Sequence, residues 1–401
     1  MENLERIKSS ISESEVVEII KKLVEIPSYP GIENQETKVA QCIKGIFEKE
    51  GISANVIPVT EGRCNVIAKL KGTGNGKSLL LTGHIDTVPP YDMKDPCTLK
   101  VDGNKLYGRG TVDMKGPLSC MIASMIAIKR SKIVLDGDLI FAGVIDEEEG
   151  SEGTIALLEE GLSVDGAIVG EPSDMDICVA HRGLEWIEFH FKGKTVHGGK
   201  QSEGINAISK ASDFIQNIKE NVIPEIYSNN HSIIGTSSMN YGTIEGGTQP
   251  STVAGNCILK IDRRWIPGEK YQDVLKQYQD VIDEMAKKDP KFRCEMKIMD
   301  ESVMRKGYVH EALETDTKHP LVTITKNLTN KIYIKQPKLT FFPAWSDGGL
   351  LSSYGNIPTI IFAPGDLESA HSSEEFIDKT QIYPATLIYA TIAIDFCNNK
   401  L

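Results

Sequence analysis

The chain has 401 residues and a formal net charge of −12. That length exceeds one ordinary compact core and predicts two domains, and the acidic balance disfavours a nucleic-acid backbone or an anionic membrane as partner. None of the eight cysteines forms a C-x-x-C pair, so neither a thiolate zinc site nor a disulfide framework is indicated.

In chain order, SEVVEIIKKLVEIPS places Val16, Ile19, Ile20 and Leu23 at helical spacing, and Pro27 stops the helix. NQETKVAQCIKGIFEKEG repeats the pattern through Val39, Ile43 and Phe47 and ends at Gly51 as a C-cap. Short apolar strands follow in NVIAKL, SLLLTGHID, GDLIFAGVID and DGAIVGEP, with helical stretches PLSCMIASMIAIKR and GTIALLEEG between them. This alternation predicts an α/β sheet buried on both faces. After Glu171 the texture changes. LEWIEFHFKGK and NCILKIDRRW alternate apolar and polar residues, as half-exposed antiparallel strands do. With helices near INAISKASDFIQNIKE and EKYQDVLKQYQDVIDEMAKK, they predict a split α+β unit. A polar link, ESVMRKGYVHEALETDTKHP, leads back to α/β texture at NIPTIIFAPG. The expected division is therefore residues 1–181 with 301–401 as one domain and 182–300 as an insertion. No apolar run approaches the roughly 18 residues of a membrane helix. The segment MENLERIKSS has no apolar signal core, so a reducing cytoplasm is the expected compartment.

Five strand-end segments carry side chains able to bind metal: GHID (His84, Asp86), GRGTVDMKG (Asp113), IDEEEGSEG (Asp146, Glu147, Glu148, Glu149), VGEPS (Glu171) and SAHSSEEF (His371). Ligand sites in open α/β sheets lie beyond the carboxyl ends of the strands. Two imidazoles with three carboxylates suit two zinc or cobalt ions; ligation by oxygen alone would favour magnesium or calcium. Each segment has a plainer account when taken alone. His84 reads equally as a core histidine bonded to Asp86, and Asp113 as a helix N-cap near Pro117. The DEEE run reads as a solvated charge run, Glu171 as plain loop, and His371 as a surface residue. Their joint occurrence in this order carries the functional reading.

The ordered set, from LVEIPS to AHSSEEF, resembles the metal-dependent amidohydrolases that include acetylornithine deacetylase, succinyl-diaminopimelate desuccinylase, aminoacylase, carboxypeptidase G and several di- and tripeptidases. The resemblance implies an α/β catalytic domain of the di-zinc aminopeptidase type, a mixed sheet between helices. It also implies an inserted ferredoxin-like α+β lid that serves as a dimerisation domain. On the matching residues, Asp113 would bridge two divalent ions, most simply zinc, with cobalt as the alternative. His84 and Glu171 would complete one site; Glu148 and His371 would complete the other. Asp86 would orient the His84 ring. Glu147 would be the general base acting on a metal-activated water. The family's acid pair follows its aspartate directly, which selects Glu147 and Glu148 over Glu149. A cis peptide from Asp113 to Met114 is also implied.

GKTVHGGKQSEGINAI resembles the lid segment whose histidine stabilises the oxyanion, often across a dimer interface; His197 matches it. Gly198, Gly199 and Gln201 depart from the usual hydroxyl and proline positions. DRRWIPGE resembles the stretch whose arginine binds the substrate carboxylate, and Arg264 matches. Arg182 is a weaker match for the cleft. Ser251 in GGTQPSTVAGN stands where relatives commonly carry asparagine, which puts a contact made there in doubt. In PAWSDGGLL, Asp347 matches the family's aspartate, and Trp345 reads as pocket wall or core. The expected substrate is a small N-acyl amino acid, with a short peptide as the alternative, and the expected assembly is a homodimer. A non-catalytic metal-binding protein on the same scaffold ranks low because the base and all five ligands are present. A P-loop reading of KGTGNGKS fails, because the segment lacks the leading-glycine spacing and precedes a strand.

Overall fold

The structure, a computed structural model, describes residues 2–333 and 335–398. It divides into two compact units: Met1–Ala180 with Leu313–Leu401, and His181–Ala312. The expected insertion ended at residue 300. Residues 301–312 cluster with the inserted unit, where the Leu184 N–H donates to the His310 carbonyl at 3.0 Å.

The larger unit is built on a nine-stranded mixed sheet. Its order is Ser53–Thr60, Arg63–Leu70, Leu139–Val144, Leu79–His84, Gly166–Val169, Thr359–Ile361, Ile177–His181 and Leu313–Glu314; Leu339–Phe342 pairs with Ile177–His181 off this path. Leu79–His84 is buried throughout and runs parallel to a neighbour on each side, Leu139–Val144 and Gly166–Val169. Strands covered on both faces need apolar side chains in succession, which explains the unbroken Leu79-Leu80-Leu81 run. Each such leucine stabilises the fold by about 2 kcal/mol through burial. The helices Lys115–Arg130 and Lys379–Cys397 pack on each other and are buried along most of their length. A separate three-stranded sheet joins Lys100–Asp102, Lys105–Tyr107 and Phe376–Asp378.

The parallel register positions the site. His84 lies beside Val144, and Thr82 beside Val169. Three chains therefore leave the sheet at the same edge, carrying His84 and Asp86, then Asp146 to Glu148, then Glu171. The link at 301–320 contains a two-residue strand, Leu313–Glu314, that the sequence reading leaves as loop. Two residues with one exposed acid give no periodicity to detect.

The smaller unit orders its strands Ser238–Gly246, Asn256–Trp265, Gly183–Lys192 and Cys294–Ile298, every neighbouring pair antiparallel. With the helices Ala207–Asn217 and Tyr271–Lys288 this is the ferredoxin-like βαββαβ arrangement. Its core is aromatic: Phe189 stacks 4.8 Å from Phe214 and 5.7 Å from Tyr278. Among the described residues, no helix is long and apolar enough to cross a membrane.

Candidate metal centre

His84 ends its strand fully enclosed, and its two ring nitrogens face different partners. Nδ1 lies 3.1 Å from the Asp86 carbonyl oxygen and 3.4 Å from Asp86 Oδ1. Nε2 lies 2.9 Å from Asp113 Oδ1 and 3.7 Å from Glu171 Oε1. The Asp86 side therefore takes the Nδ1 proton and leaves Nε2 as the nitrogen directed into the site. Asp86 also accepts the N–H of Glu147 on Oδ1 at 3.3 Å and the N–H of Glu148 on Oδ2 at 3.1 Å. One buried carboxylate thus fixes both the first histidine and the acidic loop.

Asp113 presents its two oxygens to two histidines. Oδ1 faces His84, and Oδ2 lies 3.1 Å from His371 Nε2. The same His371 nitrogen lies 3.2 Å from Glu148 Oε1. The peptide from Asp113 to Met114 is cis. His371 sits in left-handed backbone with φ of 58°, and its side chain is half exposed. Ligating atoms of His84, Glu147 and Glu171 lie within 4.8 Å of one another, as do those of His84, Asp113 and Glu148. Asp146 turns away and binds Arg63 at 2.7 Å, and Glu149 is exposed. The structure therefore gathers His84, Asp86, Asp113, Glu147, Glu148, Glu171 and His371 at one place.

The electrostatics of this cluster follow from burial and crowding. Burial alone would raise the Asp113 carboxyl, but hydrogen bonds with His371 and His84 outweigh it and hold Asp113 well below the usual range. Burial, then the charge of Glu171, pushes Glu147 well above it. Burial, then the charge of Asp113, does the same to Glu171. Hydrogen bonds with Asp113 and Glu148 lift His371 to about 10. Five carboxylates, Asp86 among them, surround two imidazoles, and Glu171 Oε1 is buried without a hydrogen-bond partner. An unpartnered buried acceptor in a site with excess negative charge is what divalent cations would satisfy. Mixed nitrogen and oxygen donors fit zinc or cobalt better than calcium.

Two supports escaped the sequence reading, and so did the partner, Thr154, of the matched Asp347. Buried Glu375 accepts the N–H groups of Val112 and Asp113 and pairs with Arg109. Partly buried Arg63 joins two buried carboxylates, Glu36 and Asp146, the latter at the start of the acidic loop. Thr154 Oγ1 donates to Asp347 Oδ2 at 2.7 Å, and burial raises the Asp347 carboxyl to about 6. Glu375 follows His371 by four residues, the only sequence hint available; the others come from remote elements.

Within the inserted unit, His197 is exposed, and its Nδ1 accepts the Gly199 N–H at 3.1 Å. The Gly198 N–H donates to the Ser251 carbonyl at 2.7 Å, so the loops of His197 and Ser251 are joined. Arg264 directs Nε to Asp262 Oδ1 at 3.0 Å and Nη2 to Oδ2 at 3.2 Å. Arg182 donates to the carbonyls of Ile234 and Thr236, a loop-fixing contact.

The fold and the histidine–carboxylate cluster, a candidate metal centre, define a metal-dependent hydrolase. The chain belongs to peptidase family M20/M25/M40, whose model matches residues 80–395. It is 30% identical to N-formyl-4-amino-5-aminomethyl-2-methylpyrimidine deformylase of Bacillus subtilis, over 96% of this chain and 95% of that one. It is 29% identical to acetylornithine deacetylase of Photorhabdus laumondii, over 95% and 97%. The fold matches the crystal structure of aminopeptidase PepT from Bacillus cereus with a TM-score of 0.80 at 22% identity, covering 97% of this chain and 100% of that one.

Proposed function

We propose that this protein hydrolyses the amide bond of a small N-acyl amino acid, in the manner of a deacetylase or desuccinylase. The observation that carries this is Asp113, whose two oxygens face His84 and His371 while Glu171 and Glu148 flank them. The relatives' names add a common chemistry: a short acyl group, formyl or acetyl, removed from an amine.

In this reading His84 and Glu171 would hold one cation, Glu148 and His371 would hold the other, and Asp113 would serve both. Bound there, two such ions, zinc or cobalt, would supply a water of lowered pKa and a positive charge for the carbonyl oxygen. Asp86 keeps the His84 tautomer that directs Nε2 inward. Glu147 takes the proton of the attacking water and returns it to the leaving amine, a role that its raised affinity for protons suits. From the inserted unit, His197 stabilises the oxyanion, its own or a partner subunit's, and Arg264 receives the substrate carboxylate. Ser251 and Arg182 line that region, and the working assembly is a homodimer in the cytoplasm.

Protein reconstituted with zinc or cobalt is assayed on N-formyl, N-acetyl and N-succinyl amino acids and on dipeptides. The expected result is turnover of an N-acyl amino acid, with Glu147→Gln retaining metal and losing nearly all turnover. Near-normal turnover by that variant refutes the base assignment, and turnover confined to dipeptides replaces the deacylase reading.

A further inference from the structure

The strands Lys105–Tyr107 and Phe376–Asp378 pair antiparallel, with Tyr107 opposite Phe376. The pairing continues toward the metal centre, because the Gly108 N–H donates to the Glu375 carbonyl at 3.3 Å. The Glu375 side chain then extends the same contact by another route. Its Oε1 accepts the N–H of Val112 at 3.0 Å and of Asp113 at 3.3 Å, and its Oε2 receives Arg109 Nη1 at 2.5 Å. Glu375 and Arg109 are both buried. A buried carboxylate is tolerated only when paired and hydrogen-bonded, so this group is fixed in place by three donors.

Glu375 belongs to the loop that carries His371, and the amides it holds belong to the loop that carries Asp113. His371 is half exposed; its ring meets Glu148 Oε1 at 3.2 Å, and its loop is held by Ser369 Oγ donating to the Phe376 carbonyl at 3.0 Å and Ser372 Oγ to the Ser369 carbonyl at 2.8 Å. The 3.1 Å approach of His371 Nε2 to Asp113 Oδ2 therefore has, beside the strand pairing and the Gly108–Glu375 backbone bond, one side chain that bridges its two loops directly. His84 and Glu171 leave the sheet on adjoining parallel strands, and they share with this bridge only Asp113, whose Oδ1 faces His84 at 2.9 Å.

We propose that Glu375 is a positioning residue for one half of the metal centre, the half formed by Asp113, Glu148 and His371. The proposal rests on the two-metal reading above. Losing Glu375 weakens the site completed by Glu148 and His371 more than the one completed by His84 and Glu171, because Asp113 is shared while His371 lies on the loop of Glu375 itself. A residue that merely stabilised the fold would affect both alike.

The test is calorimetric titration of the metal-free full-length protein with zinc, beside Glu375→Ala and Glu375→Gln. Wild type is expected to bind two ions. Glu375→Ala should bind one ion with affinity within about threefold of wild type and the other at least tenfold more weakly, the range seen for residues supporting metal ligands. Glu375→Gln keeps a carbonyl acceptor for the two amides and should recover part of that loss. The retained site reports that the variant is folded. If Glu375→Ala leaves Arg109 unpaired and does not fold, Arg109→Met with Glu375→Leu removes both charges and should show the same single-site loss. Unchanged binding of both ions by a folded variant overturns the proposal but leaves the two-metal reading intact, as does equal weakening of both. Failure of wild type to bind two ions overturns both.

Discussion

Asp86→Ala removes the group that joins the His84 ring to the acidic loop. The ring keeps the 3.1 Å contact of Nδ1 with the Asp86 main-chain carbonyl but loses the carboxylate 3.4 Å away. The amides of Glu147 and Glu148 lose their acceptors at 3.3 and 3.1 Å. A hydrogen bond to a charged group contributes about 1.5–3 kcal/mol, and these lengths favour the lower value, so two together stabilise by about 3 kcal/mol. The substitution also removes a negative charge that acts on Glu36, Asp146 and Asp347, which offsets part of that loss in the metal-free protein. Metal affinity is therefore the sharper readout. Zinc should bind about 10–100-fold more weakly to Asp86→Ala, and Asp86→Asn, which keeps one acceptor oxygen, should fall between. Calorimetric zinc titration and urea unfolding of the metal-free protein measure the two effects. Zinc affinity within twofold of wild type, together with unchanged unfolding, would refute this account of Asp86.

Arg63→Met leaves Glu36 and Asp146 buried without their cation, and the expected loss is about 3–5 kcal/mol near pH 8. Burial already raises both carboxyls, so the folded state binds protons that the unfolded state has released above its ordinary carboxylate range. The defect should shrink as pH falls toward 5, and urea unfolding at the two pH values checks it; a larger defect at pH 5 contradicts the sign. His310 is buried, and burial lowers its pKa from 6.5 to about 4. Its contribution is present above pH 6.5 and is lost as pH falls toward 4, up to about 3 kcal/mol. His310→Gln should flatten that part of the stability profile, and an unchanged slope between pH 7 and 5 argues against it.

The legible parts of this molecule were those written in local pattern. The leucine run before His84 specifies a strand buried on both faces, and Phe189 and Phe191 alternating with His190 specify a half-exposed one. The candidate ligand residues were recognisable as an ordered set because His84, Glu148 and Glu171 end or follow such strands and all five occur in the family's order. Glu375, Arg63 and Glu36 were not, because a buried charge is identified by its partner, and these partners come from distant segments: Arg63 meets Glu36 and Asp146, and Arg109 meets Glu375. The insertion boundary was misread for a related reason. Residues 301–312 are polar in sequence, but part of that segment pairs by backbone hydrogen bonding with Leu184, which leaves no side-chain signature.

By itself the sequence determined two textures, an α/β unit interrupted by an alternating-strand insertion, and the residue types available for a metal site, because periodicity and side-chain chemistry are local properties. The resemblance already selected Glu147 and Glu148 from the DEEE run, but only the tertiary structure gave the physical reason. Asp146 turns to Arg63 and Glu149 to solvent, while Glu147 and Glu148 are held inward through their amides on Asp86. Four adjacent carboxylates are nearly equivalent along a chain. They become distinct once parallel strands bring different neighbours to each.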